Sequence, residues 1–269
     1  MNGILDNFLK DKGYFSAEDD LLLIEKVQRM LAERFPFENL DVMTKVEENI
    51  TPEYIEGKMI EQNRGGLCYE LNALQHLILR KLGLDVHLAS ATVHDESGWV
   101  TDRTHVMNLF WKKDDLFVAD SGFGTQLPMK PVQLDGPPVQ SPGGTFRLRT
   151  LKTEKGTVAF QLKRQGQWIT RYAFFPEEVE WDELNRIKKV IHEHPQSAFN
   201  KQLLIAQALK NGTVSLNEQR LLVKTNQGEE QRIHFSSYEN MLEKIKDYFS
   251  RSIYDQALQY VHRKRNVSQ

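Results

Sequence analysis

The chain has 269 residues, of which 35 are basic and 37 acidic, giving a formal net charge of −2 at pH 7. This length favours about two domains with room for a sizeable core, and the balanced charge gives no electrostatic reason to expect nucleic acid or a membrane surface as partner. One cysteine excludes an intrachain disulfide, and no apolar run approaches the roughly 18 residues of a membrane span.

The first part of the chain has the periodicity of amphipathic helices. Ser16, followed by acidic residues, predicts the cap of a helix whose apolar stripe runs from Leu22 to Leu31. Thr51 before Pro52 predicts the cap of a shorter helix that extends to Met59. The turn Phe35-Pro36-Phe37 between them carries two aromatic rings, and core packing is the simplest role for Phe35.

A third helix is predicted to begin near the single cysteine, Cys68. The apolar positions that follow it recur at three- and four-residue spacing and end at Gly83: Leu71, Leu74, Leu77, Ile78 and Leu82. The free amides and positive dipole end of a helix N-terminus favour an anion there, and we expect Arg64 to add a nearby positive charge. We expect Gly65 and Gly66 to allow a tight turn and the approach of a second molecule to the sulfur. A lone cysteine is usually a small buried hydrophobe, but this setting favours a nucleophile.

From Val86 onward the composition becomes that of strands. Val86 to Val93, His105 to Trp111 and Leu116 to Asp120 are separated by turn signals. Residues 128–144 are too rich in proline and glycine for a regular element. Three alternating segments then predict an antiparallel meander: 146–151, 157–163 and 168–174.

The last part of the chain mixes helices and strands. A helix is predicted from Glu177 to His192, followed by a break at Pro195 to Phe199. Asn211-Gly212 is a strong hairpin signal. The remaining predicted elements are strands at 203–209, 213–216, 221–224 and 231–235, and helices at 237–249 and 253–262.

The sequence favours neither a metal centre nor a secreted protein. His192 and His194 are the nearest approach to a ligand cluster, and exposure at the surface explains them more simply. Met1 to Lys10 mixes charged residues into a short apolar run, unlike a signal peptide. We therefore expect no metal and a cytoplasmic location.

A cysteine nucleophile needs a base and a group that orients the base. His105 and Asp120 lie on two predicted strands joined by a short turn. If Trp111 pairs with Asp114, His105 is directly opposite Asp120 on one face of the sheet, and a slip of two residues would leave them diagonal neighbours. Other candidates have less favourable positions: Glu70, His76, His87, His94 and Asp102.

These residues belong to stretches that resemble the arylamine N-acetyltransferase family. The matching stretches occur in the family's order: Phe35-Pro36-Phe37-Glu38-Asn39-Leu40, Arg64-Gly65-Gly66-Leu67-Cys68-Tyr69-Glu70-Leu71-Asn72, Thr104-His105-Val106-Met107-Asn108-Leu109, Asp120-Ser121-Gly122-Phe123-Gly124 and Pro195-Gln196-Ser197-Ala198-Phe199. The resemblance implies an α+β fold with a cysteine-protease-like (papain- or transglutaminase-like) core. Its parts would be an N-terminal helical bundle (1–84), an antiparallel β-rich middle domain (85–192) and a C-terminal α/β domain (193–269).

The resemblance also implies a ping-pong reaction. Cys68 would take an acetyl group from acetyl-CoA as a thioester and pass it to an arylamine or hydrazine, with His105 as base and Asp120 as its orienting group. The acceptor pocket that the family implies consists of Phe37, Phe123, Thr125 and Leu127. The CoA contacts that it implies are Thr104, Gly124, Gln196 and Ser197.

A Cys-His-Asp arrangement alone allows other reactions, because it fixes the nucleophile and not the acyl donor. A cysteine hydrolase or transglutaminase-like enzyme is one alternative. A biosynthetic amide synthase on the same fold, or a binding protein with an idle site, is another.

Overall fold

The computed structural model of the protein describes residues 3–10 and 19–267. Within them, no helix is long and apolar enough to cross a membrane. The helices in chain order are α1 (Ile4–Lys10), α2 (Asp20–Arg34), α3 (Leu40–Thr44), α4 (Pro52–Ile55), α5 (Cys68–Lys81), α6 (Trp181–Glu193), α7 (Tyr238–Tyr248) and α8 (Arg251–Val267), with a π-helical segment at Glu56–Glu61 and a 3-10 turn at Ala198–Asn200.

Local caps start the early helices. Asp19 caps α2 by accepting a hydrogen bond from the Leu21 amide at 2.7 Å; the predicted cap, Ser16, lies outside the described residues. Thr51 caps α4 as predicted, accepting from the Tyr54 amide at 3.1 Å. The chain beyond α4 stays helical, as the sequence indicates, but continues as the π-helical segment.

The strands form two antiparallel sheets, and the α+β class is confirmed. They are β1 (Phe37–Glu38), β2 (Val86–Asp95), β3 (Gly98–Trp99), β4 (His105–Lys112), β5 (Asp115–Ala119), β6 (Val132–Gln133), β7 (Val139–Ser141), β8 (Gly144–Thr153), β9 (Gly156–Arg164), β10 (Gln167–Phe174), β11 (Ile205–Leu209), β12 (Gly212–Leu216), β13 (Arg220–Thr225) and β14 (Glu230–His234). The larger sheet has the order β6-β5-β4-β2-β10-β9-β8-β7 with β3 beside β2, and the smaller has the order β1-β11-β12-β13-β14.

The larger sheet curls back on itself around an apolar interior. Leu134, just beyond β6, forms a bridge with Leu148 on β8, and its amide donates to the Leu116 carbonyl at 2.8 Å. The curled sheet encloses a core that includes Phe146 and Phe160, whose rings stack at 5.4 Å. The expectation that residues 128–144 contain no regular element is therefore wrong. Pairing with β5 and β8 makes β6 and β7 regular in spite of the local proline and glycine content.

Helices and strands that are distant in sequence pack in common cores, and this brings the N-terminal, middle and C-terminal parts of the chain together. The apolar face of α6 packs in the same core as α5, although the two helices lie in different predicted domains. Strand β1, from the helical part, pairs with β11 in the smaller sheet, where Phe37 is opposite Ala206. Helices α7 and α8 cover that sheet. The division at residues 84 and 192 stays a prediction.

A network of buried charges lies beneath the start of α5. The Arg64 guanidinium donates to Glu38 at 2.7 Å and to Asp41 at 2.7 Å. Lys58 Nζ lies 2.7 Å from Asp41 and 2.5 Å from Glu70. Burial alone would raise the pKa of Asp41, but Lys58 and Arg64 lower it far below its usual value. We expected the positive charge of Arg64 to act on the Cys68 sulfur. Arg64 is instead paired with two carboxylates, which compensate its charge.

Gly65 and Gly66 allow close packing within the chain. A Cβ on Gly65 would lie 1.8 Å from the Pro36 carbonyl oxygen, and one on Gly66 would lie 2.6 Å from the Glu70 carboxylate. The Gly66 amide donates to the Pro36 carbonyl at 3.1 Å. The expectation that these glycines admit a second molecule is therefore wrong, because Pro36 and Glu70 occupy the space beside them.

Replacing the buried Arg64 should destabilise the fold strongly. Arg64→Met would leave the buried Glu38 carboxylate without its ion-pair partner and would leave Asp41 with Lys58 alone. We therefore expect the free energy of unfolding to fall by about 3–5 kcal/mol in a urea titration. The control is Arg251→Met, which breaks an exposed pair with Asp255 and should cost less than about 1 kcal/mol. Equal losses in the two variants would contradict a structural role for the network.

Candidate active site

The single cysteine is the first residue of α5, as the sequence predicts. The Glu70 carboxylate caps this helix end by accepting from the Leu67 amide at 2.9 Å. Cys68 is 5% exposed, and its Sγ lies 3.5 Å from the Thr104 carbonyl oxygen. The sulfur therefore lies at the positive end of a helix dipole, where a negative charge is stabilised.

The hairpin that carries His105 and Asp120 has a register different from the predicted one. Trp111 pairs with Leu116 and not with Asp114, because the turn between β4 and β5 lies one residue further along the chain than we assumed, which shifts each pairing partner by two residues. Asp120 also lies just beyond the end of β5. His105 and Asp120 are thus displaced from direct opposition by two residues. They remain on one face, since side chains alternate with a period of two.

His105 and Asp120 form a buried pair. His105 Nε2 lies 2.7 Å from Asp120 Oδ2, and these side chains are 3% and 0% exposed. Asp120 Oδ2 also accepts from the Tyr172 hydroxyl at 3.2 Å. Its Oδ1 accepts from Asn72 Nδ2 at 3.0 Å and from the Gly122 amide at 2.8 Å. Four donors therefore fix this carboxylate.

The pairing of His105 with Asp120 shifts the pKa values of the two groups in opposite directions. Burial alone would lower the pKa of His105, but the charge and hydrogen bond of Asp120, with a smaller effect of Cys68, raise it to about 10. Burial alone would raise the pKa of Asp120, yet His105 and the other donors lower it below its usual value. At neutral pH the pair is an imidazolium and a carboxylate. Nε2 is engaged by Asp120, which leaves Nδ1 for the sulfur.

Asn72 ties the cysteine helix to the sheet. It lies on α5, donates to the Val106 carbonyl at 2.8 Å and accepts from the Ser121 amide at 3.0 Å. A Cβ on Gly122 would lie 2.5 Å from Asn72 Nδ2 and 2.7 Å from the Cα of Cys68. Glycine at position 122 thus allows the loop after β5 to approach the cysteine.

Aromatic rings surround the imidazole. The Tyr172 ring lies 4.8 Å from that of His105, measured between centroids, and stacks on Phe160 at 4.6 Å. Phe123 meets His105 edge to face at 5.0 Å. These contacts hold the ring in one orientation and exclude water from its faces.

A cleft of about 460 Å³ opens onto Cys68 and His105. It is bounded by the helical part, the curled sheet and the smaller sheet. The predicted site residues that line it are Phe37, Phe123, Thr125, Thr104, Gly124, Gln196 and Ser197. The structure does not bring Leu127 to this cleft, because its side chain is 4% exposed in a small core with Ala32, Met129 and Ala208.

The sequence analysis assigned no role to three residues that the structure places at the site: Asn72, Arg171 and Tyr172. For Asn72 a signal was available, because it belongs to a matched stretch and lies one turn beyond Cys68 on α5. Tyr172 and Arg171 lie on β10, and only the pairing of β10 with β2 brings them near His105.

His192 is half-buried, although we expected it to be exposed at the surface. Its Nε2 lies 3.3 Å from the Tyr69 hydroxyl, and burial lowers the pKa of His192 to about 4. The apolar face of α6 carries it inward when that helix packs against α5. His192 is therefore a neutral, partly buried side chain that hydrogen-bonds with Tyr69.

Comparison with known proteins identifies the family. A family model described as N-acetyltransferase matches residues 20–257. The chain belongs to this N-acetyltransferase family. The acetyltransferase YvcN of Bacillus subtilis, which is uncharacterised, is 35% identical to this family member over 238 residues, which cover 85% of this chain and 92% of YvcN.

Two solved structures support the same assignment. Arylamine N-acetyltransferase C from Bacillus anthracis superposes with a TM-score of 0.85 at 29% identity, covering 93% of this N-acetyltransferase and 98% of that chain. An arylamine N-acetyltransferase from Bacillus cereus, described as having a unique Cys-His-Glu catalytic triad, superposes with a TM-score of 0.84 at 31% identity and the same coverage. The family predicted from the motifs is confirmed, and the protein is an acyltransferase. In this chain the group that bonds His105 is an aspartate.

Removing the negative charge of Asp120 should lower the pKa of His105. In Asp120→Asn the burial that lowers this pKa remains and the attraction that raises it is lost, so the value should fall from about 10 to below that of a free histidine. A pH titration of the His105 ring signals by NMR measures this change. The charged pair contributes stability below the pH at which an unfolded histidine titrates, and this contribution is lost as pH rises through about 10. An unchanged pKa in Asp120→Asn would contradict the assigned cause.

Proposed function

We propose that the protein transfers an acetyl group from acetyl-CoA to the nitrogen of an arylamine or arylhydrazine by a ping-pong mechanism. The observation that carries this proposal is the placement of Cys68 at a helix N-terminus beside His105, which is bonded at 2.7 Å to Asp120. Membership of the N-acetyltransferase family supports the nature of the group transferred. The relatives from Bacillus anthracis and Bacillus cereus support the class of acceptor.

In the first half-reaction the Cys68 sulfur attacks the acetyl carbonyl carbon of acetyl-CoA. The bond between that carbon and the CoA sulfur breaks, and the departing thiolate takes the proton of the His105 imidazolium. The Cys68 amide is at the first helical position, where the helix itself offers no acceptor. It is therefore suited to stabilise the negative oxygen of the tetrahedral intermediate.

In the second half-reaction the acceptor nitrogen attacks the carbonyl of the acetylated Cys68. His105, now neutral, takes a proton from that nitrogen while the bond from carbon to the Cys68 sulfur breaks, which restores the thiolate and imidazolium. Asp120 stays ionised throughout, because its four donors stabilise the charge. It holds the imidazole in the orientation that both steps need.

The walls of the cleft suggest where the two substrates bind. We assign Phe37, Phe123 and Thr125 to the acceptor, because aromatic walls suit a flat ring. We assign Thr104, Gly124, Gln196 and Ser197 to CoA by the matched stretches. The enclosing rings around His105 would also limit hydrolysis of the thioester. The α+β arrangement of a helix-borne cysteine and a sheet-borne histidine fits a papain- or transglutaminase-like core, which remains part of this proposal.

The acetyl-enzyme provides a direct test. Brief mixing with acetyl-CoA should add one acetyl group to the intact mass, and an arylamine should then remove it. Cys68→Ser should give no adduct and no arylamine acetylation while folding normally, because the substitution is small. Turnover that persists in Cys68→Ser would exclude Cys68 as nucleophile. Peptide cleavage without any adduct from acetyl-CoA would favour the hydrolase alternative.

Asp120→Asn should keep the fold and lower kcat by about 10⁴-fold, because the amide favours the wrong imidazole tautomer. The matched control is Asp102→Asn, which changes an exposed carboxylate near His105 in sequence that pairs with Lys155. Its kcat should remain near that of the wild type. A larger loss in the control than in Asp120→Asn would mean that a different carboxylate orients His105.

A further inference from the structure

Arg171 is a half-buried cation in the wall of the cleft. It lies on β10, next to Tyr172, and its guanidinium carbon lies 5.6 Å from the centroid of the Phe123 ring. Its Nε is enclosed and has no hydrogen-bond partner. Across residues 3–10 and 19–267, no ion pair within 4.0 Å involves its guanidinium, unlike those of Arg64 and Arg103.

The charged groups near Arg171 do not satisfy it. Burial and Arg164 lower the pKa of Arg171, while Asp95 and Glu96 act in the opposite direction. Both carboxylates are on exposed residues, and Asp95 already accepts from the Ser97 amide and hydroxyl at 2.8 and 2.6 Å. A guanidinium remains charged at any working pH and offers five donors in a fixed planar fork. Arg171 is thus equipped to receive an anionic group inside the cleft.

The position of Arg171 relative to the reacting atoms limits what that anion is. Phe123 is close to both Arg171 and His105: its ring centroid lies 5.6 Å from the guanidinium carbon and 5.0 Å from the imidazole centroid. The distance between the guanidinium carbon of Arg171 and the imidazole centroid of His105 is therefore at most the sum of these two distances. One aromatic ring with an amine at one end and an acid at the other is short enough to fit within that limit. The long pantetheine arm of acetyl-CoA, when extended, carries the phosphates well beyond it.

We propose that Arg171 is a specificity-determining residue that binds the carboxylate of the acceptor, so that the enzyme prefers anionic arylamines of the aminobenzoate type. This inference rests on the proposed acetyl transfer. The acceptor ring packs against Phe123, its carboxylate accepts a bidentate pair of hydrogen bonds from the guanidinium, and its amine faces the acetylated Cys68.

The test compares two acceptors that differ in charge, 4-aminobenzoate and the neutral 4-aminobenzamide. The ratio of their kcat/KM values, acid over amide, cancels general effects of a substitution on the enzyme. Arg171→Gln should lower this ratio about 10- to 100-fold, because it removes a hydrogen bond between charged groups. The loss should appear mainly as weaker binding of the anionic acceptor, with its kcat little changed. The ratio for Arg171→Lys should lie between those of the wild type and Arg171→Gln, since lysine keeps the positive charge but lacks the planar set of donors.

Arg164→Gln is the matched control. It removes the same charge from an exposed neighbour that does not line the cleft, and the ratio should stay within about twofold of the wild type. The rate of acetyl-enzyme formation from acetyl-CoA should also stay within about twofold in Arg171→Gln. Slower acetyl-enzyme formation with an unchanged ratio would assign Arg171 to a CoA phosphate and overturn the inference.

Different results would contradict the role of Arg171 and the proposed acetyl transfer. An acetyl-enzyme that forms normally, with the same ratio in wild type and Arg171→Gln, overturns the role of Arg171 alone. A wild-type enzyme that forms no adduct with acetyl-CoA and acetylates neither amine overturns the proposed function, and the assignment of Arg171 to an acceptor is lost with it.

Discussion

The carboxylate of Asp120 is the point on which the site depends. It accepts from His105 on β4, Tyr172 on β10, Asn72 on α5 and the Gly122 amide in the loop after β5. A buried carboxylate is costly unless such donors surround it. The donors come from three separate elements and a loop, so the fold must be assembled before this charge is stable. The same charge then fixes the protonation and orientation of His105.

A second set of buried charges supports the other half of the site. Arg64 and Lys58 join β1, α3 and the start of α5 through Glu38, Asp41 and Glu70. Because a buried ion pair rarely adds net stability but is costly to break, the network specifies the position of the cysteine helix more than it strengthens the fold. Gly66 and Gly122 then allow neighbouring groups to approach that helix on two sides.

Much of the local structure could be predicted from the sequence. The helix that begins at Cys68, the cap at Thr51 and the strands around His105 follow from periodicity and turn residues. Two errors have one cause. The strands β6 and β7 were missed, and the pairing between β4 and β5 was placed two residues away from its true register. In both cases the pairing partner decides the structure, and local composition does not contain that information.

The sequence by itself determined the family, the cysteine at a helix N-terminus and the histidine and aspartate on one face of a hairpin, because these follow from short motifs and from side-chain periodicity. Only the tertiary structure decided what surrounds them. It placed Leu127 in a core instead of the cleft, paired Arg64 with carboxylates, and brought Tyr172 and Arg171 beside the site. The physical reason is that burial, charge pairing and the shape of a cleft depend on contacts between segments far apart in the chain, and a one-dimensional pattern does not specify those contacts.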